Sequence, residues 1–82
     1  MLTEEIKPGV LFSSQVAIRL FKNLDEFNNQ VFSASNSSND IFLVLETKKL
    51  NGLILVKVLV SDSIYWCYCP DAKEVSWWYL RN

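Results

Sequence analysis

Two apolar runs in the middle of the chain, over residues 41–60, meet at Asn51-Gly52. Both runs are rich in leucine, isoleucine and valine, and their lengths are typical of strands. Asn-Gly is the dipeptide that a type I′ turn prefers, because both central residues of that turn take positive φ angles. The pattern therefore predicts a β-hairpin in which Leu50 faces Leu53, Thr47 faces Val56 and Glu46 faces Lys57.

The alternation of side chains along this hairpin predicts which face enters the core. Counting outward from the turn also places Leu45 opposite Val58, and beyond Thr47 it gives one face of apolar residues alone. We expect that face to be the core, and it consists of Ile41, Leu43, Leu45, Ile54, Val56, Val58 and Val60. The opposite face consists of Val44, Glu46, Lys48, Leu55, Lys57 and Leu59.

The N-terminal half predicts short strands and one helix. Residues 10–20 read as one bent strand or two short ones, with Val16, Ile18 and Leu20 facing inward. Apolar residues then recur at helical spacing between residues 23 and 32, where Asn23 can cap the helix and Glu26 can complete a capping box. We expect a short helix there.

A second turn follows Val60 at Ser61-Asp62-Ser63, and its length decides the next strand's orientation. A two-residue loop pairs Lys57 with Trp66, whereas a three-residue loop pairs Val58 with Trp66. The sequence leaves both registers open. A turn at Pro70-Asp71 and a last strand over residues 74–81 complete the chain.

Two segments are expected to be flexible. We expect residues 1–8 to form a flexible lead that ends at Lys7-Pro8-Gly9, and residues 33–40, which are almost entirely polar, to form a mobile loop. No linker or internal repeat divides the chain, so residues 1–82 are expected to form a single domain.

Together these elements predict a mainly β fold of five to six strands with one short helix in an early connection. The order of elements resembles the small antiparallel SH3-like barrels. The resemblance rests on Lys7-Pro8-Gly9, on the paired hairpins across Asn51-Gly52 and Ser61-Asp62-Ser63, and on the turn at Pro70-Asp71 before Val75. It implies a domain that binds proline-rich peptides, nucleic acid or a larger protein. Because residues 33–40 and the helix have no fixed counterpart in that pattern, an OB-like or other small β fold is the alternative.

The composition argues against catalysis. The chain has no histidine, so it lacks the usual general base near neutral pH and the commonest metal ligand. Cys67 and Cys69 lack the two-residue spacer of zinc and thioredoxin motifs, and the two glycines form no phosphate-binding loop. We therefore expect no catalytic residues, no metal, no cofactor and no enzymatic activity.

Charge and hydropathy bear on location. The formal net charge is −1, which disfavours nucleic acid as a partner, and no apolar run is long enough to span a membrane. The start of the chain is acidic where a signal peptide is basic, and two reduced cysteines suit a reducing compartment. These features predict a cytoplasmic protein without membrane contact. Seven asparagines and nine serines hint at an AT-rich coding genome, such as that of a phage or virus.

Aromatic residues are concentrated near the C-terminus. Six of them lie within fifteen residues: Tyr65, Trp66, Tyr68, Trp77, Trp78 and Tyr79. Neighbours in a strand point to opposite faces, so Trp77 and Trp78 cannot both enter the core. The outward rings either form an exposed surface for a partner or cover the helix as a second small core.

The functional hypothesis follows from the exposed alternative. We expect a binding module that contacts another protein through Tyr65, Trp66, Trp77, Trp78 and Arg81, as an adaptor, an accessory subunit or a small inhibitor of a larger machine. The alternative is a nucleic-acid-associated module of transcription or translation that uses Lys48, Lys49 and Lys57. A third hypothesis is a homo-oligomer formed through an edge strand.

Overall fold

A five-stranded antiparallel sheet and a two-stranded ribbon make up most of the fold in the computed structural model, which describes residues 1–36 and 40–81. A 3₁₀ helix at Thr3–Glu5 precedes the first strand. The elements that follow are β1 (Leu11–Ser14), β2 (Arg19–Leu20), α1 (Leu24–Asn28), β3 (Ala34–Ser35), β4 (Phe42–Leu50), β5 (Leu53–Val60), β6 (Ser63–Pro70) and β7 (Trp78–Arg81). The sheet has the order β6-β5-β4-β1-β7, and β2 pairs with β3 in the ribbon.

The central hairpin of β4 and β5 confirms the turn that the sequence predicts. Asn51 and Gly52 both have positive φ angles, 49° and 81°. Leu50 pairs with Leu53, Thr47 with Val56 and Glu46 with Lys57, as expected from a two-residue loop.

Beyond Glu46 the predicted register is wrong, because β4 contains an irregularity. Val44, and not Leu45, pairs with Val58, so Leu45 is an extra residue in the strand. Since side chains alternate with a period of two, one extra residue reverses the orientation of everything before it. Phe42 and Val44 therefore enter the core, whereas Leu43 and Leu45 are only partly buried and Ile41 is 45% exposed.

The second turn has two residues, which decides between the two registers left open. Ser61 and Asp62 both take positive φ angles, and Val60 pairs with Ser63 across them. Lys57 consequently pairs with Trp66. This register turns Cys67 and Cys69 toward the face of β5 that carries Val56 and Val58, where both thiols are buried.

The sheet does not close into a barrel, and the whole fold has more strands than the five to six expected. Seven strands occur in the described residues, and no pairing joins β6 to β7 there. The outer edge of β6 instead meets the chain after β2 at one point. Phe21 and Trp66 exchange two backbone hydrogen bonds, with N···O distances of 2.8 and 2.6 Å.

The first residues pair with the segment before β7, and the flexibility expected of residues 1–8 stays a prediction. Leu2 forms an isolated bridge with Glu74, and the amino group of Met1 donates to the carbonyl oxygens of Val75 and Trp78. Ile6 is buried in the main core. Backbone pairing and the apolar side chains of Met1 and Ile6 connect this segment to the rest of the fold.

The predicted helix is present but short. The Asn23 side chain accepts a hydrogen bond from the Glu26 N–H, as expected of an N-cap. The Glu26 carboxylate accepts from the Ser33 hydroxyl and the Lys22 N–H, and these bonds lower the pKa of Glu26. Gln30 takes a positive φ angle two residues after α1, and Val31, one of the apolar residues at helical spacing, lies beyond the helix and is 61% exposed.

Residues 10–20 form two short strands, one of the two arrangements expected. Ile18 and Leu20 are buried as predicted, but Val16 is 49% exposed. The reason is local, because the Ser14 hydroxyl donates to the Val16 carbonyl and accepts from the Val16 N–H, which interrupts the alternation of a strand.

The loop expected over residues 33–40 is described only in part. Ala34 and Ser35 pair with Leu20 and Arg19 as strand β3. Ser37, Ser38 and Asn39 lie outside the described residues, so the mobility of this loop stays a prediction.

Buried side chains form two clusters on opposite faces of the sheet. The larger cluster is the main core and includes stacked rings of Phe12, Phe42 and Trp78, with centroid distances of 5.0 Å and 4.5 Å from Phe12. The smaller one, here called the second cluster, consists of Phe21, Phe27, Leu55 and Trp66, with Leu24, Leu53 and Tyr68 packed against it. Helix α1 thus covers part of a sheet face that would otherwise meet water.

The two adjacent tryptophans should differ in their contributions to stability. Trp78 is fully buried, so Trp78→Ala should lower the free energy of unfolding by about 3–5 kcal/mol, whereas half-buried Trp77→Ala should cost clearly less. Urea unfolding of both variants, followed by circular dichroism, measures the difference. Equal and large losses would show that both rings are structural.

Candidate binding groove

The structure divides the predicted aromatic face between the two sides of the sheet. Trp78 is 1% exposed in the main core, and Trp66 is 9% exposed in the second cluster. Tyr65 and Trp77 are half-buried, and Arg81 is exposed at the end of β7. The expected exposure of Trp66 is therefore wrong, and these residues do not form one continuous surface.

Trp66 is buried by the alternative arrangement that the sequence left open. Phe21 and Phe27 pack with it in the second cluster, and Tyr68 lies beside them at 5.4 Å from Phe27 between ring centroids. The contact depends on the backbone bridge between Phe21 and Trp66, which brings the chain before α1 against β6. Trp66, which the sequence predicts as a contact for a partner, thus stabilises the fold instead.

Two of the three predicted basic residues lie together over this cluster. The Nζ atoms of Lys48 and Lys57 are 5.9 and 6.0 Å from the Trp66 ring centroid, at the range of cation–π contacts. Lys49 points elsewhere, with its Nζ 3.8 Å from Asp71 Oδ1. The two lysine side chains therefore flank the buried Trp66 ring. In this arrangement the ring is not available to stack with a base of a nucleic acid.

A groove of about 330 Å³ lies where the link between β1 and β2 faces the end of β6. One side of it is formed by the chain from Val16 to Arg19. The other lining residues come from the end of β6, from the residue before β7 and from the first residue of β7: Tyr68, Pro70, Trp77 and Trp78. The groove owes its open side to the bend at Ser14, which turns Val16 outward.

The lining of the groove is apolar and aromatic, with one charge. Arg19 is the only ionisable cation or carboxylate among its lining residues. Its guanidinium carbon lies 5.5 Å from the Phe32 ring centroid, and the residue is exposed. A ligand with an apolar part for the lining and a negative charge for Arg19 would match this surface.

One lining residue contains an unsatisfied polar atom. The Trp78 Nε1 is buried and has no hydrogen-bond partner, and it is the only such side-chain atom among residues 1–36 and 40–81. An indole N–H left unpaired in this way typically costs about 1–3 kcal/mol. Because Trp78 also lines the groove, this unpaired donor is located at the candidate site.

The two thiols are not placed for chemistry. Burial raises the pKa of Cys67, with the neighbouring Cys69 as a smaller cause. Burial, and then the charge of Asp71, raise the pKa of Cys69 to about 12. Since the thiolate is the nucleophile, neither side chain is activated near neutral pH. In the described part of the chain, no cluster of three or more potential ligands could hold a metal ion.

Comparison of the chain with protein-family models, with curated proteins and with solved structures finds no match. Within the described ranges, no helix is both long and apolar enough to cross a membrane. The groove must therefore be interpreted from its own residues.

The sequence prediction missed most of the groove. It placed Val16 in the core and omitted Tyr68 and Pro70 from the site, although it included Trp77 and Trp78. The available signal was the polar run Ser13-Ser14-Gln15, which indicates a bend. Nothing in the pattern shows that this bend lies against the end of β6.

Proposed function

We propose that this chain is a non-enzymatic binding module that holds a short segment of another protein in the groove. The groove itself carries the proposal: about 330 Å³ in volume, it is lined by the half-buried aromatic residues Tyr68 and Trp77 beside the exposed, apolar Val16. Its volume lies within the range of ligand sites, at about 300–1,000 Å³. Aromatic-lined grooves are one of the recurring ways in which domains bind extended peptides.

The proposal keeps only part of the site that the sequence predicts. Trp77 remains a contact residue because it lines the groove and is partly exposed. Trp66 and Trp78 serve mainly to hold the sheet and its neighbours in place. Arg19 replaces Arg81 as the cation beside the aromatic rings.

We also propose an SH3-like architecture for the domain. Two consecutive tight hairpins, β4-β5 and β5-β6, are followed by a link and a short final strand, in the chain order on which that resemblance rests. An adaptor, an accessory subunit or a small inhibitor would each use such a domain by occupying a surface of a larger protein. We expect such a domain to work in the cytoplasm, because both of its cysteines are free thiols.

Two exposed valines provide a matched test of the groove. Val16 lines it and Val31 does not, and both are exposed, so Val16→Glu and Val31→Glu should leave the stability of the fold similar. Peptides selected on the unmodified protein from a library of random twelve-residue peptides should lose at least about thirtyfold in affinity on Val16→Glu, a hot-spot loss. They should bind Val31→Glu normally.

Fluorescence anisotropy with the selected peptides measures both affinities, and circular dichroism checks folding. Failure of the library to yield a binder, or equal affinity for the two variants, would contradict the proposed site.

The nucleic-acid alternative is favoured by one observation. Lys48 and Lys57 place two cations side by side at the Trp66 ring, and this aromatic residue is thus flanked by bases. Against it, Glu46 pairs with Lys57 on the same face, and the net charge is −1. The alternative therefore rests on two phosphate contacts at most from this pair.

A labelled twenty-nucleotide single strand separates the two candidate functions. A peptide-binding module should not bind it at 0.15 M salt, because few phosphates would be neutralised. A nucleic-acid module should bind it with an affinity that falls steeply with salt, and Lys48→Gln with Lys57→Gln should reduce that slope by about 0.7 per lysine lost. Binding titrations at three salt concentrations decide between them.

A further inference from the structure

The hydrogen-bonding direction of β6 follows from the two-residue turn before it. Val60 and Ser63 close that turn as a hydrogen-bonded pair, so alternate residues along β6 direct their backbone N–H and C=O groups away from β5. These residues are Ile64, Trp66, Tyr68 and Pro70. The observed bonds agree, because the outward N–H and C=O of Trp66 are the ones that Phe21 takes up.

Tyr68 is the next outward residue, and no backbone partner on its outer side occurs within residues 1–36 and 40–81. The chain before Phe21 pairs with β3 instead, Arg19 with Ser35 and Leu20 with Ala34. Among the described residues, no hydrogen bond joins the backbone of Tyr68 to this ribbon. The β2-β3 ribbon and β6 therefore part after a single bridge, and Tyr68 lines the groove that opens between them.

This free edge is short and has a defined limit at each end. Trp66 is already bonded to Phe21, and Pro70 has no N–H to donate. Only the N–H and C=O of Tyr68 remain available between these two positions. An edge of this length cannot recruit a long strand, which lowers the risk of indiscriminate sheet extension.

We propose that the segment held in the groove adds to β6 as a short extended strand, with two backbone hydrogen bonds to Tyr68 and a carboxylate beside Arg19. This inference rests on the proposed function and specifies how the groove binds. The unpaired backbone of Tyr68 supplies a partner for main-chain groups, as in strand addition to a sheet edge. Arg19 supplies the charge complementarity, since it is the one charged lining residue.

In this arrangement backbone hydrogen bonds contribute affinity, and the side chains around them determine which segments are preferred. Backbone bonds to Tyr68 favour any extended segment, because they involve no side chain of the partner. The rings of Tyr68 and Trp77 beside them favour an apolar residue, and Arg19 favours an acidic one. The partner is thus an extended acidic segment with apolar residues, rather than a helix, whose backbone groups are already bonded within itself.

The test uses the full chain labelled with ¹⁵N and a synthetic blocked pentapeptide of threonine, valine, glutamate, valine and threonine. Three further peptide types serve as controls: glutamine in place of glutamate, and N-methylation of either valine. NMR titration gives the affinities, and amide hydrogen exchange reports on the Tyr68 N–H directly. Arg19→Gln and the matched Lys22→Gln, an exposed lysine outside the groove, complete the set.

Strand addition predicts three results together. Exchange of the Tyr68 amide should slow at least about tenfold at saturating peptide, and methylation at one valine should weaken binding about five- to tenfold, the effect of one hydrogen bond. The glutamate peptide should bind more tightly than the glutamine peptide, and Arg19→Gln but not Lys22→Gln should abolish this preference.

Other outcomes overturn this inference and separate it from the proposed function. If Val16→Glu weakens peptide binding but Tyr68 exchange and N-methylation have no effect, the groove binds peptides by side chains alone and strand addition is wrong. If the pentapeptide does not bind at millimolar concentration, strand addition of an acidic segment is also wrong. In that case, the library selection decides whether the groove binds peptides at all.

Discussion

The positive φ angles of Ser61 and Asp62 hold a two-residue turn, and the arrangement of the rest of β6 depends on it. A turn with one more residue would shift β6 against β5 and exchange its two faces. Cys67 and Cys69 would then leave the main core, and Trp66 would enter it in their place. The observed turn instead fills the main core with small thiols and leaves the large indole for the opposite face.

That placement of Trp66 accounts for the second cluster. A large ring on the outer face of the sheet requires cover, and the chain between β1 and β4 supplies it through Phe21 and α1. The backbone bridge to Phe21 fixes where this cover begins. Because the ribbon pairs with itself beyond that point, it leaves β6, and the gap is the groove. The candidate site is thus a consequence of how the sheet is covered. The single bridge between Phe21 and Trp66 accounts both for the burial of the rings and for the opening of the groove.

The features that could be predicted from sequence are those set by local chemistry. Asn51-Gly52 specifies its turn by backbone preference alone, and Asn23 caps α1 with its own side chain. The alternation of side chains along β5 also predicts its core face correctly, since Ile54, Val56, Val58 and Val60 are all buried.

Features set by tertiary contacts could not be predicted. The extra residue at Leu45 has no local signal, because every residue around it is compatible with a regular strand, and it reverses the faces of β4 before that point. Val16 faces solvent because the Ser14 hydroxyl bonds its backbone, an interaction that a pattern of apolar positions does not include. The groove combines both difficulties, since its residues come from three separate segments.

The register of β6 is the central claim, and nuclear Overhauser effects between α-protons measure it directly. In a non-hydrogen-bonded antiparallel pair the two Cα atoms are only about 4.5 Å apart, so the α-protons give a strong signal. The structure predicts strong signals between Lys57 and Trp66 and between Leu55 and Tyr68. Strong signals instead between Lys57 and Cys67 and between Leu55 and Cys69, the non-hydrogen-bonded pairs of the three-residue register, would contradict it, and with it the free edge at Tyr68.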